Sequence, residues 1–136
     1  MSHFQQFKQG PIYMPPVFLR QLQYETDTWK RLLEFMIGEN ISLRNRLSEI
    51  IKEKTDHATL EALEDFQRNF IKVDELMGLL RNEVVELEKL FRKESFDGGK
   101  ITIEQKMEQL RNDIMIAERQ FRKLNLEFNN YLSLNI

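Results

Sequence analysis

The 136-residue chain reads as an all-α protein, an elongated antiparallel three-helix bundle with coiled-coil-like heptad packing and an extended N-terminal arm. Two observations carry this reading. All three prolines (Pro11, Pro15, Pro16) fall close together near the start of the chain. After them, three separate stretches repeat apolar residues in alternating steps of three and four, the spacing that keeps one helical stripe turned toward partner helices.

The arm comes first. Proline removes a backbone donor and holds its predecessor extended, so residues 1–18 are expected to be non-helical. Phe4, Phe7, Tyr13, Pro15, Pro16 and Phe18 make this arm a candidate docking segment. A stiff, extended segment loses little entropy on docking. It can fold back over its own bundle or dock on a partner or a second copy of the chain.

The first helix is expected over 19–54, with its seam at Trp29, Leu33, Met36, Asn40, Leu43, Leu47 and Ile50. Asn40 is the polar exception. A buried amide there either fixes register or oligomeric state, as buried Asn does in coiled coils, or answers backbone groups freed by a bend at Gly38. Asp56 and Thr59 are helix-start candidates for the second helix, expected over 57–95 with a seam running unbroken from Leu63 to Phe91. Phe96-Asp97-Gly98-Gly99-Lys100 forms the next turn, and Thr102 with Gln105 fits a reciprocal capping box opening the third helix, 102–134, whose seam runs from Ile103 to Tyr131. Short links make consecutive helices antiparallel neighbours. An apolar repeat of 3.5 residues drifts around a 3.6-residue helix, which winds such a bundle left-handedly. Closed monomers and open hairpins that assemble further satisfy this spacing equally.

Composition narrows function by exclusion. With 20 Lys+Arg against 22 Asp+Glu, the chain lacks the basic excess of a dedicated nucleic-acid binder. It has no cysteine, hence no disulfide, thiol nucleophile or thiolate metal site. Neither a signal-peptide pattern nor an apolar run of roughly 20 residues is present, and a cytoplasmic protein away from membranes is expected. No catalytic residue, metal ligand, cofactor or small-molecule substrate is assigned. Glu53, His57 and Glu61 would share a face only on a continuous helix, and a break is expected between them. Gly98-Gly99 lacks the strand and further glycines of a phosphate loop. Glu83, Glu86 and Glu88 interleave with Lys and Arg, as on a solvated helix face.

The informative excess is apolar and points outward. With the seams inside, Phe35, Ile41, Ile71, Leu79, Val85, Met115, Ile116 and Leu126 face away from a three-helix core. Ile71, Gly78, Leu79, Val85, Met115 and Ile116 are the candidate interaction surface, with Gly78 permitting close approach. A contiguous exposed apolar patch marks a partner surface. The expected function is therefore a non-enzymatic protein-interaction or scaffold role, with self-association, a dimer first, as the favoured partnership. The alternative is a regulatory adaptor or nucleic-acid-associated factor using Arg44, Arg46, Lys52 and Lys54.

The stretches Glu39-Asn40-Ile41-Ser42-Leu43-Arg44-Asn45-Arg46-Leu47-Ser48-Glu49-Ile50 and Phe66-Gln67-Arg68-Asn69-Phe70-Ile71-Lys72-Val73-Asp74-Glu75-Leu76, with Leu79-Leu80-Arg81-Asn82-Glu83-Val84, resemble small uncharacterised helical proteins of Bacteroidota. The resemblance implies a bacterial cytoplasmic origin and assigns no residue a role.

Overall fold

The computed structural model describes residues 16–53, 56–92 and 99–136, the last stretch in side-chain detail from residue 102 onward. Three helices account for nearly all of them: α1 (Pro16–Glu53), α2 (His57–Arg92) and α3 (Gly99–Asn135). At about 1.5 Å per residue each is about 55 Å long. α2 is central, packing along both neighbours, while α1 and α3 touch over a shorter stretch.

The helix starts differ from the sequence expectation in instructive ways. α1 begins at Pro16, so Pro16, Val17 and Phe18 belong to the helix and not to an extended arm. The first N–H groups of a helix have no intrahelical partner, and proline's fixed φ suits the first turn. Phe18 packs half-buried against the core. Phe4, Phe7, Tyr13 and Pro15 lie outside the described residues. α2 starts as expected: the Asp56 carboxylate accepts from the Thr59 backbone N–H at 2.8 Å and from its hydroxyl at 2.7 Å. α3 begins at Gly99, which places Thr102 and Gln105 inside the helix, where they cannot form the expected capping box.

Every seam residue read from the sequence is buried or half-buried, with Leu43, Ile50, Phe66 and Tyr131 at the half-buried margins. The same stepping continues where it was not expected, back through Thr26 to Leu22 and on to Leu132. α1 also runs unbroken through Gly38, and a Cβ built there meets nothing within 4 Å. No interruption of α1 at Gly38 is therefore present to explain Asn40. Asn40 is fully buried and donates from Nδ2 to the Phe70 carbonyl of α2 at 2.9 Å, a cross-helix bond that fixes the α1–α2 register.

The two ends of the bundle are held differently. Toward the C-terminus of α3, Phe128 meets Phe70 edge-on at 5.2 Å and Phe66 at 5.3 Å, and Tyr131 lies 5.6 Å from Phe66. Such aromatic pairs contribute about 0.5–1.5 kcal/mol each beyond area burial. At the opposite end a buried polar cluster between α1 and α2 joins the apolar core of Leu22, Trp29, Leu87 and Phe91. There Glu88 lies buried, 2.9 Å from Lys30 Nζ, 2.9 Å from Gln23 Nε2 and 3.0 Å from Thr26 Oγ1.

Candidate interaction surface

Helical geometry sorts the outward apolar residues into separate lines, because each residue turns the helix by about 100°. Ile71, Gly78 and Val85 follow one another at seven-residue steps on the flank of α2 near α1. Leu79 is rotated well away from them, so these four residues do not form a single stripe. Val85 is half-buried, contrary to its expected outward placement. The Asn40–Phe70 bond sets Ile41 level with Ile71, leaving a small apolar rim where α1 meets α2. Gly78 is half-buried and a Cβ on it meets nothing within 4 Å, so none of the described residues uses its smallness.

Leu79 belongs to a different feature. It is 56% exposed and lines a groove of about 440 Å³ between α2 and α3. Leu87, Leu90 and Leu110 form the groove's apolar floor, and Asn82, Glu83, Glu86, Lys106 and Gln109 form its rim. The helices run antiparallel with Phe70 on Phe128 and Leu87 beside Leu110. That register sets Ile116 level with Leu79, and Ile116 is also exposed. Of the sequence-derived candidates, Leu79 alone lines the groove, with Ile116 at the same level on α3. Met115, about 100° around α3 from Ile116, is exposed on another flank, in line with Leu126 eleven residues on.

A second apolar line was missed in part by sequence reasoning. Val17, Tyr24 and Phe35 are all exposed on α1, and their spacings of seven and eleven residues are close to whole helical turns. Of these, the heptad spacing marks only Phe35 as outward-facing, since Val17 lies in the expected arm and a single exposed Tyr24 is ordinary on a surface. A crevice beside this line is formed by Val17, Tyr24, Thr28 and Trp29, with Arg20 at its edge.

The charged groups are largely committed to holding the bundle together. Burial pushes the Glu88 carboxyl up, but the hydrogen bonds from Lys30, Thr26 and Gln23 outweigh it and hold its pKa below the ordinary carboxylate value. The same bond to Glu88 raises the Lys30 pKa against its own desolvation. Glu88 is therefore a buried structural anion and not part of the solvated face expected from the sequence. A signal was available: position 88 lies four residues after Val84 and three before Phe91, both core residues. Arg111 joins α3 to α1 through two bonds to Glu25, 2.7 and 2.8 Å, and its guanidinium lies 6.0 Å from the Trp29 ring centroid. Within the basic group near the end of α1, Arg44 is 3.4 Å from Asp74.

His57 and Glu61 lie 3.9 Å apart at the start of α2, both well exposed. Among the described residues, no group of three His, Asp or Glu side chains is arranged to hold a metal ion, and no helix is long and apolar enough to cross a membrane. No protein-family model, curated protein or solved structure matches the chain.

Proposed function

We propose that the chain is a non-enzymatic helical interaction protein of the cytoplasm that self-associates through the groove between α2 and α3. The observation that carries this reading is Leu79: a large apolar side chain, more than half exposed, standing over a leucine floor and level with exposed Ile116. Burying one such side chain stabilises an association by about 1.5–3 kcal/mol. Two copies facing each other across this groove would cover Leu79 and Ile116 together, and closed two-fold pairing is the commonest arrangement of soluble oligomers.

The test is light scattering of the full chain across a concentration range, with Leu79→Lys alongside. The wild-type mass should rise with concentration. Leu79→Lys should remain monomeric over the same range with an unchanged far-ultraviolet helical signal. A variant that associates as tightly as the wild type refutes the groove as the surface, and a wild type monomeric throughout refutes self-association.

A further inference from the structure

Resting on that reading of the groove, we propose that in the unassociated chain the N-terminal segment before Pro16 occupies the α2–α3 groove, so that this segment and a second copy compete for one surface. Residues 1–15 hold Phe4, Phe7, Ile12, Tyr13 and Met14, no Asp or Glu, and the basic groups His3 and Lys8. The groove offers the complement, an apolar floor with Glu83 and Glu86 on its rim beside a single base, Lys106. Glu86 is shared with Lys89 at 3.1 Å, whereas Glu83 makes no ion pair among the described residues.

Reach agrees. Leu22 of α1 and Met107 of α3 line one crevice, which puts the near end of the groove, at Leu90 and Lys106, close to the level of Leu22. That level is six residues below Pro16, about 9 Å along the axis. Passing around the bundle to the far side of α3 adds roughly two helix spacings, about 20 Å. Phe7, nine residues ahead of Pro16, can extend at most about 30 Å from it and Phe4 about 40 Å. Phe7 therefore reaches the near end and Phe4 the middle, whereas Tyr13 and Met14 reach neither. The other apolar surfaces fit this arm less well. The Val17–Tyr24–Phe35 line is flanked by Arg20 and Arg31, and Glu25, the acid in its crevice, is already paired with Arg111. The crevice between α1 and α3 is also acidic, lined by Glu25, Glu104 and Glu108, but the paired bonds of Arg111 to Glu25 bridge it.

Because the chain has no cysteine, Ser2→Cys in the full chain takes a single nitroxide spin label, and its broadening of leucine and isoleucine methyl resonances maps where the arm lies. The methyls of Leu79, Leu87 and Leu90 should lose more than half of their intensity, on the order of two-fold or greater, and keep that loss when the labelled chain is diluted ten-fold with unlabelled, isotopically silent chain. Unchanged groove methyls overturn the proposal. So does broadening that disappears on dilution, which would place the arm on a second copy. As an independent check, Phe4→Ser combined with Phe7→Ser should strengthen self-association by about ten-fold by removing the competitor, and unchanged or weaker association counts against it. Broadening within one chain is read whether or not the chain dimerises, so failure of the self-association reading leaves this test intact.

Discussion

Replacing Glu88 by glutamine keeps the outline of the side chain and removes its charge, which isolates what the buried anion contributes. In the wild type the carboxylate receives three hydrogen bonds of 2.9–3.0 Å, from Lys30, Gln23 and Thr26, while itself almost fully buried. Hydrogen bonds to a charged group contribute about 1.5–3 kcal/mol each, and removing one partner of a buried pair costs about 3–5 kcal/mol. Two features reduce that figure here. Lys30 is partly exposed, its side chain at 28%, and can return its ammonium to water. The new amide oxygen can still accept from Thr26 or Gln23. A loss of about 2–3 kcal/mol follows, measurable as a lower midpoint in urea unfolding at pH 7 with an unchanged slope. The pH dependence supplies a second check. The folded pKa of Glu88 is depressed, so its contribution is present above the ordinary glutamate value of about 4.3 and is lost as the pH falls through the lower folded value. Glu88→Gln should flatten the acid limb of the stability profile relative to the wild type. Lys30, raised by the same contact, contributes below its ordinary lysine value and loses that contribution as the pH rises through the folded value. A loss under about 0.5 kcal/mol at pH 7, or an acid limb identical to the wild type, would refute the assignment of Glu88 as a stabilising buried anion.

Two substitutions test the interior of α1 and α2. Among the described residues, Asn40 Oδ1 lies buried without a hydrogen-bond partner. Asn40→Leu therefore exchanges one bond and one unsatisfied oxygen for apolar burial, and should raise the free energy of unfolding by about 1 kcal/mol. A loss of that size in chemical denaturation would show the Phe70 bond to be worth more than the unsatisfied oxygen costs. Gly78→Ala places a methyl in open space and should stabilise the folded chain by about 0.5–1 kcal/mol, seen as a higher melting temperature, with Gly38→Ala behaving alike. A lower melting temperature in either variant would contradict the open surroundings.

The helical plan was legible because nothing in it depends on long-range detail. A stripe of apolar residues at steps of three and four dictates its own burial, and Leu63 through Phe91 and Ile103 through Phe128 are buried or half-buried as that rule requires. The helix starts were less legible, because proline at Pro16 is equally compatible with an extended arm and with a first turn. Asn40 was recognisable as special, but choosing between a bend at Gly38 and a cross-helix bond required the position of the Phe70 carbonyl on another helix. Glu88 misled for a related reason. Glu86 and Lys89 beside it in sequence are charged, and only the approach of Thr26 and Lys30 from α1 makes burial tolerable. For the candidate surface, periodicity identified which residues face outward, yet the pairing of Leu79 with Ile116 depends on the register of α2 against α3, which no local pattern encodes.

The contrast between the two ends of the bundle gives the molecule a built-in polarity of loosening. The cluster around Glu88 is held by charge and answers to acid, whereas the Phe66–Phe70–Phe128–Tyr131 cluster is held by apolar contact, which weakens on cooling. Acidification therefore acts on the half of the rod that carries Pro16, beside the near mouth of the α2–α3 groove, while the apolar core that cold weakens runs the whole length of the bundle. The acid-sensitive cluster is thus the one that adjoins the surface on which a second copy would land.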